Sequence, residues 1–383
     1  MKEVTKEQSE QIMDMPKVVL HIHLDGSIRP ETVFRRLKEN PLDKRRIENW
    51  YKNKFISESD KKVLLDIAEK GKNITLDEVK DKLSVDQNCR NLNEYLEKFA
   101  LPGVVLQTPE QIEESVFELY EDLSKQNVKY AEVRFAPSKH TFMGMTQEEV
   151  TENAIHGLNK ARKELKIDGN LILCCMRGSG ERNKEENLKT VDAAERFLGR
   201  GVCAIDLAGA EALFKTENFA EIFEKAQERN IPFTIHAGEA DGPESIIEAL
   251  RLGAKRIGHG IRSIENKKLL NFLVQQEIPL EVCLMSNLQT VAVNGRHPLE
   301  ELYRSGANIT INTDNDTVSS TNIVNEYKMI LENTDLTILD IAKTNIRAAR
   351  AVFASVEIKA KLTSQINEFK KEIEKNEEVN ICE

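Results

Sequence analysis

IPFTIHAGEADGPESIIEALRLGAKRIGHG, residues 231–260, reads as a strand, a helix and a second strand in one short span. The apolar run Ile231–His236 ends in a histidine, and Ala-Gly-Glu follows directly. Pro243 then opens a helical pattern in which Ile246, Ile247 and Leu250 share a face, and Gly253 stops it. A second apolar run, Ala254–Gly258, leads into His259. This is the length of one βα crossover between parallel strands.

The same rhythm extends in both directions. Lys17–His21, Lys129–Phe135, Leu171–Met176, Val202–Leu207, Ile278–Cys283 and Ala307–Thr313 also carry the apolar, β-branched character of buried strands. Eight strands separated by helical patterns predict a (β/α)8 TIM barrel. A doubly wound open sheet is the alternative. It is disfavoured because the chemically interesting residues follow the first, fifth, sixth and eighth strands, which only a closed ring brings to one mouth. The sixth run, Ala-Lys-Arg-Ile-Gly, is the least strand-like.

The whole chain, 1–383, reads as a single barrel domain with two additions. Residues 27–127 are too long for one crossover helix, so additional helices are expected between the first and second strands. One starts at Thr108-Pro109-Glu110-Gln111 and puts Ile112, Val116, Leu119 and Leu123 on one face. Another, Asn91–Ala100, aligns Leu92, Tyr95, Leu96 and Phe99, either against the barrel or as a lid over a pocket. Leu269, Phe272 and Leu273 mark a later helix. A Lys/Glu-rich amphipathic helix over about 355–378 completes the chain.

Composition narrows the partners. With 40% hydrophobic and 31% charged residues, the chain suits an ordinary globular protein with a sizeable core. A net charge of -10 argues against nucleic acid or an anionic membrane as the main partner and favours a small ligand. Met1–Asp14 is polar, and no long apolar run occurs, so a cytoplasmic location is expected. The six cysteines are irregularly spaced, without a CxxC pair, which suits reduced thiols, four of them inside apolar runs.

His21 and His23 point to the same side of the first strand, because side chains alternate with period two. With His236 and Asp314, each closing an apolar run, they form a metal-ligand set. Three imidazoles and a carboxylate suit zinc better than calcium or magnesium, with iron, cobalt and manganese open. The fourth strand ends Ile205-Asp206-Leu207-Ala208-Gly209, with no lysine to bridge two ions, so one zinc per chain is expected. Zinc brings a bound water toward neutral pKa and so provides a nucleophile. Glu239, three residues past His236, is a candidate proton donor. His259, between Gly258 and Gly260, is a candidate to accept a proton from the water or to hold it in line. His140, His156 and His297 have no such context and read as structural.

At these residues the chain resembles the adenosine deaminases of the adenosine and AMP deaminase superfamily. The likeness rests on Val-Leu-His-Ile-His-Leu-Asp-Gly-Ser at 19–27, Tyr-Ala-Glu-Val-Arg-Phe-Ala-Pro at 130–137, Asp-Leu-Ala-Gly at 206–209, His-Ala-Gly-Glu at 236–239, Gly-His-Gly at 258–260, Ser286-Asn287 and Asn-Thr-Asp at 312–314. The resemblance implies hydrolysis of adenosine to inosine and ammonia in purine salvage, with deoxyadenosine as a further substrate. It implies that Glu239 protonates purine N1 while activated water attacks C6, assisted by His259 and Asp314. It also implies that Gly209 donates its N–H to N3 and that Asp25, near His23, holds the ribose hydroxyls. Two positions depart from many relatives. Cys283-Leu284-Met285-Ser286-Asn287 replaces Cys-Pro-Thr-Ser-Asn, and Asn315 stands where an aspartate faces N7.

The nearest rivals keep the metal set and act on free adenine, an N6-methylated adenine nucleotide or an aminofutalosine-type nucleoside. A 5′-phosphate requires a basic subsite, and the segments assigned to the mouth show none. A metal-dependent amidase or phosphotriesterase is disfavoured by the missing lysine and by Glu239, and an inactive binding barrel by the complete ligand set. The His-x-Glu and Pro-Cys-x-x-Cys signature of cytidine-type deaminases does not occur.

Overall fold

Val18, Leu20 and Ile22 alternate with Val19, His21 and His23, and every residue of this strand is buried, as expected when helices cover one face and a packed interior the other. The computed structural model describes residues 2–86, 89, 91–290, 292 and 295–382, with the backbone alone for 377–382. Eight parallel strands carry it: β1 Lys17–His23, β2 Val128–Phe135, β3 Asp168–Met176, β4 Val202–Ala208, β5 Thr234–Ala237, β6 Arg256–His259, β7 Leu280–Val282 and β8 Ile309–Ile311. They pair in chain order as two four-stranded sheets. Isolated bridges join the sheets, Ile205 to Phe233 on one side and Ile22 to Asp314 on the other. The expected (β/α)8 barrel is therefore formed, and all eight anticipated strands are present, the sixth among them.

The seam between β1 and the end of β8 determines the site. Asp314 N–H donates to the carbonyl of His21 at 3.0 Å, and His23 N–H donates to the carbonyl of Asp314 at 2.7 Å. Ring closure thus splices the His-x-His strand to the turn carrying the aspartate.

The insertion holds helices from Pro30–Glu39 through Pro109–Lys125. The last begins as anticipated, with Thr108 and Gln111 forming a reciprocal cap. Asn91–Ala100 is not one helix: Leu92–Leu96 gives way to a tight turn at Glu97–Phe99 and then to a helix at Ala100–Val105. The final helix runs Val356–Cys382 and buries Leu362, Ile366, Phe369 and Ile373 along one stripe. One shared-face assignment needs correction, because Ile247 is exposed, at 45%. Adjacent helical positions diverge by roughly 100°. Ser245, Ile246 and Ala249 centre the buried stripe, so Ile247 turns outward. The later helix forms as expected, at Lys267–Gln275, and buries Leu269, Leu270 and Leu273. No described helix is long and apolar enough to cross a membrane.

Candidate active site

A cavity of about 510 Å³ opens at the C-terminal ends of the strands, the end at which barrel folds place their chemistry. His23, His236, Glu239, His259 and Asp314 line its floor, and Asp25, Gly209 and Asn315 its wall. His21 is fully buried beneath them. The expected residues are thus gathered in one place, although they come from five different strand ends.

Donor atoms of His21, His23, His236 and Asp314 all lie within 4.8 Å of one another, an arrangement that could hold a metal ion. The Nε2 atoms of His21 and His23 are each 3.3 Å from Asp314 Oδ1, and those of His23 and His236 are 3.2 Å apart. His21 Nε2 is buried without a hydrogen-bond partner. Buried, convergent lone pairs fit a borderline-soft divalent cation.

The far sides of the rings are held by carboxylates. His21 Nδ1 lies 2.9 Å from Glu281, and His236 Nδ1 lies 2.8 Å from Asp206. Arg134 pairs with both acids at 2.8 Å. Burial pushes Asp206 and Glu281 up, but His236 and Arg134 hold Asp206, and Arg134, Arg256 and His21 hold Glu281, well below the usual carboxylate range. They remain anions that orient the imidazoles. Ser286 donates to Asp314 Oδ2 at 2.6 Å.

Local backbone geometry adds to the aim. His259 and Asp314 both have positive φ, at 59° and 63°, a conformation that costs a non-glycine residue of order 1 kcal/mol or more. A side chain at Gly26 would overlap the Asn315 amide, and one at Gly258 would press within 3.1 Å of His236 Cα, so both glycines permit close approach. Glu239 is buried and accepts from the Thr290 hydroxyl at 3.1 Å. Burial, with Asp314 and Glu211 nearby, raises its carboxyl well above the usual range. Asp25 Oδ1 is buried with no partner, and burial raises Asp25 to about 6.

Several residues escaped the sequence reading. Glu211 accepts from the backbone N–H groups of Gly238 at 2.7 Å, Glu239 at 3.1 Å, Ala240 at 2.7 Å and Asp241 at 3.1 Å, and from Ser245 Oγ at 2.6 Å. It ties down the turn that carries Glu239. Its one sequence signal is its position just past the Asp-Leu-Ala-Gly motif. Two basic residues that sequence reading did not assign to the mouth, Lys139 and Arg177, line the cavity. Both follow strand ends outside the segments assigned to the mouth. Arg177 directs its terminal nitrogens to the carbonyls of Phe214 and His236 and to Thr216. Lys139 faces Asp60 and Asp25. Of the histidines read as structural, His140 is buried against the Leu106 carbonyl and His156 is exposed, while His297 reaches Asn287.

Fold and site together define a metal-dependent hydrolase of the amidohydrolase barrel type. A family profile described as adenosine deaminase matches residues 60–369. The adenosine deaminase of Haemophilus ducreyi is 40% identical over 355 residues, covering 91% of this chain and 95% of that one. The adenosine deaminase of Clostridium acetobutylicum is 38% identical, covering 94% and 99%. Among solved structures, the N6-mAMP deaminase of Arabidopsis superposes with a TM-score of 0.76 at 26% identity, covering 94% and 99%. The chain belongs to the adenosine deaminase family and is a hydrolytic deaminase.

Proposed function

We propose that this chain catalyses the zinc-dependent deamination of adenosine, and of 2′-deoxyadenosine, to the inosine nucleoside and ammonia. We place it in the cytoplasm, where its free cysteines stay reduced. The observation that carries the reading is the convergence of His21, His23, His236 and Asp314 beside a buried Glu239. Those four residues would hold one zinc, which when bound lowers the pKa of a coordinated water toward neutrality.

This chain's own groups supply the remainder. Glu239 delivers a proton to purine N1, which makes C6 electrophilic, and the Glu211 anchor keeps that carboxyl in place. Asp314 and His259 hold the attacking water at the floor. Gly209 offers its backbone N–H to N3, Asp25 accepts from the ribose hydroxyls beside His23, and the Asn315 amide donates to N7. Together they set C6 over the nucleophile, which is catalysis by positioning. The apolar roof of Leu92, Leu96 and Phe99 excludes bulk water.

Incubation with adenosine, followed by the shift of purine absorbance toward inosine, tests the reaction. Metal analysis should find about one zinc per chain, and a strong chelator should abolish turnover. Turnover by a metal-free protein would end the reading. Lys139 in the cavity wall gives some weight to a nucleotide substrate, but Asp25 and Asp60 flank it and repel a phosphate. A panel of adenosine, adenine and an N6-methylated adenine nucleotide separates these readings, with adenosine expected to lead.

A further inference from the structure

The backbone N–H of Leu299 donates to Nδ1 of His297 at 3.1 Å. A ring nitrogen that accepts carries no proton, so a neutral His297 holds its proton on Nε2. Burial keeps that ring neutral, drawing its pKa down to about 3. Nε2 lies 3.3 Å from Asn287 Oδ1. Asn287 Nδ2 in turn lies 3.1 Å from His259 Nδ1. Each step dictates the next: the His297 N–H must meet the amide oxygen, which leaves the amide nitrogen facing His259, whose Nδ1 must accept. A backbone amide, which cannot be reversed, thus sets the polarity of two histidines and an asparagine that would otherwise be ambiguous.

The end of this relay faces the cavity. His259 Nε2 is buried with no hydrogen-bond partner and lies 3.4 Å from Glu239 Oε2. We propose that His297, which does not line the cavity, is a positioning residue for the deaminase reaction: through Asn287 it fixes His259 as the tautomer protonated on Nε2. His259 then presents a hydrogen-bond donor, not a base, to the oxygen that attacks the purine. Of the two roles open to His259 from sequence, the relay selects the second. A preset donor stabilises charge developing on that oxygen without reorganising during the reaction, and no proton moves to or from His259. The catalytic consequence rests on the deaminase reading, whereas the tautomer does not.

Nitrogen-15 NMR of the zinc-loaded protein with labelled histidines, with His259 assigned by comparison with His259→Gln, reads the tautomer directly and without substrate. The expected signal is protonation on Nε2. Asn287→Asp presents an acceptor at both ends and should move the His259 proton to Nδ1. His297→Gln retains an acceptor toward Leu299 and a donor toward Asn287, so it should keep both tautomer and turnover. His297→Phe fills the space without the polarity and should lower kcat by ~10- to 100-fold with little change in KM. A role in packing alone predicts the reverse ranking of these two variants. His259 protonated on Nδ1 in the wild type, or wild-type kcat in a folded His297→Phe, overturns the proposal. If His297→Phe does not fold, the wild-type and Asn287→Asp spectra decide it. Failure to deaminate adenosine would remove the deaminase reading and leave the spectra as a test of the relay.

Discussion

Beneath the histidines, Glu132, Arg134, Asp206, Arg256 and Glu281 are all but inaccessible and paired at 2.6–2.8 Å. Above the same cavity, Phe55, Leu92, Leu96, Phe99 and Phe142 are only partly covered, and contact comes from rings such as the stacked Phe55 and Phe142, 5.0 Å between centroids. The contrast has mechanical content. Moving any member of the ionic layer strands a buried charge, whereas apolar side chains at the rim can part at the cost of some exposed area. The metal-binding candidates stand on the first kind of support, so their geometry persists through each turnover. Entry and release are left to the second. A few bonds tie the roof to the turn after β8: Val85 N–H to the Val318 carbonyl at 2.9 Å, Ser84 to the Thr317 carbonyl at 2.7 Å, and Tyr95 to Ser319 at 2.6 Å.

The largest effect should follow from breaking the floor. Arg134→Met leaves Asp206 and Glu281 as buried charges that have lost a shared partner, and should cost about 3–5 kcal/mol in a denaturant titration, with loss of bound zinc. A stable, zinc-loaded variant would mean that the ionic layer is not the support described here. Next comes the cavity itself. Glu239→Gln should keep its zinc yet lower kcat by ~10²- to 10⁴-fold, since an amide cannot deliver the proton to N1. Activity within about tenfold of wild type would assign N1 protonation to another group.

The roof should respond in a different parameter. Phe99→Ala removes part of the apolar cover, so KM for adenosine should rise by roughly tenfold while the thermal midpoint hardly moves. If kcat and stability fell together instead, the roof would be as rigid as the floor and the comparison would fail. Smallest of all, Tyr95→Phe deletes one roof-to-turn hydrogen bond and should cost about 1 kcal/mol of stability, read by thermal unfolding.

The strands were legible because each is a local apolar run, and the candidate ligands because they stand at strand ends with period-two or turn spacing. Even the weakest run, at Ala254–Gly258, became β6, since Arg256 turns inward to Glu132 and Glu281. The misassigned Ile247 shows where local pattern fails, because which flank of a short helix meets the barrel depends on how the helix is laid down. Glu211, Lys139 and the Asn287–His297 pair were illegible for a related reason. Their roles depend on partners elsewhere in the chain, Glu211 on the turn after β5, Lys139 on Asp25 and Asp60, and Asn287 on His259, so even a place in or beside a recognised motif does not disclose them.

The sequence by itself determined the eight-strand barrel, the helical insertion and the candidates for metal-binding and proton-transfer chemistry, because these follow from short-range periodicity and side-chain type. Only the tertiary structure decided which atoms meet. His23 and His236 are 213 residues apart, yet their ring nitrogens approach to 3.2 Å once the sheet closes. The tautomer of His259, the tether on the Glu239 turn and the two basic residues in the wall are likewise products of ring closure. Hydrogen-bond direction depends on the partner across the fold, and a linear pattern carries no record of that partner.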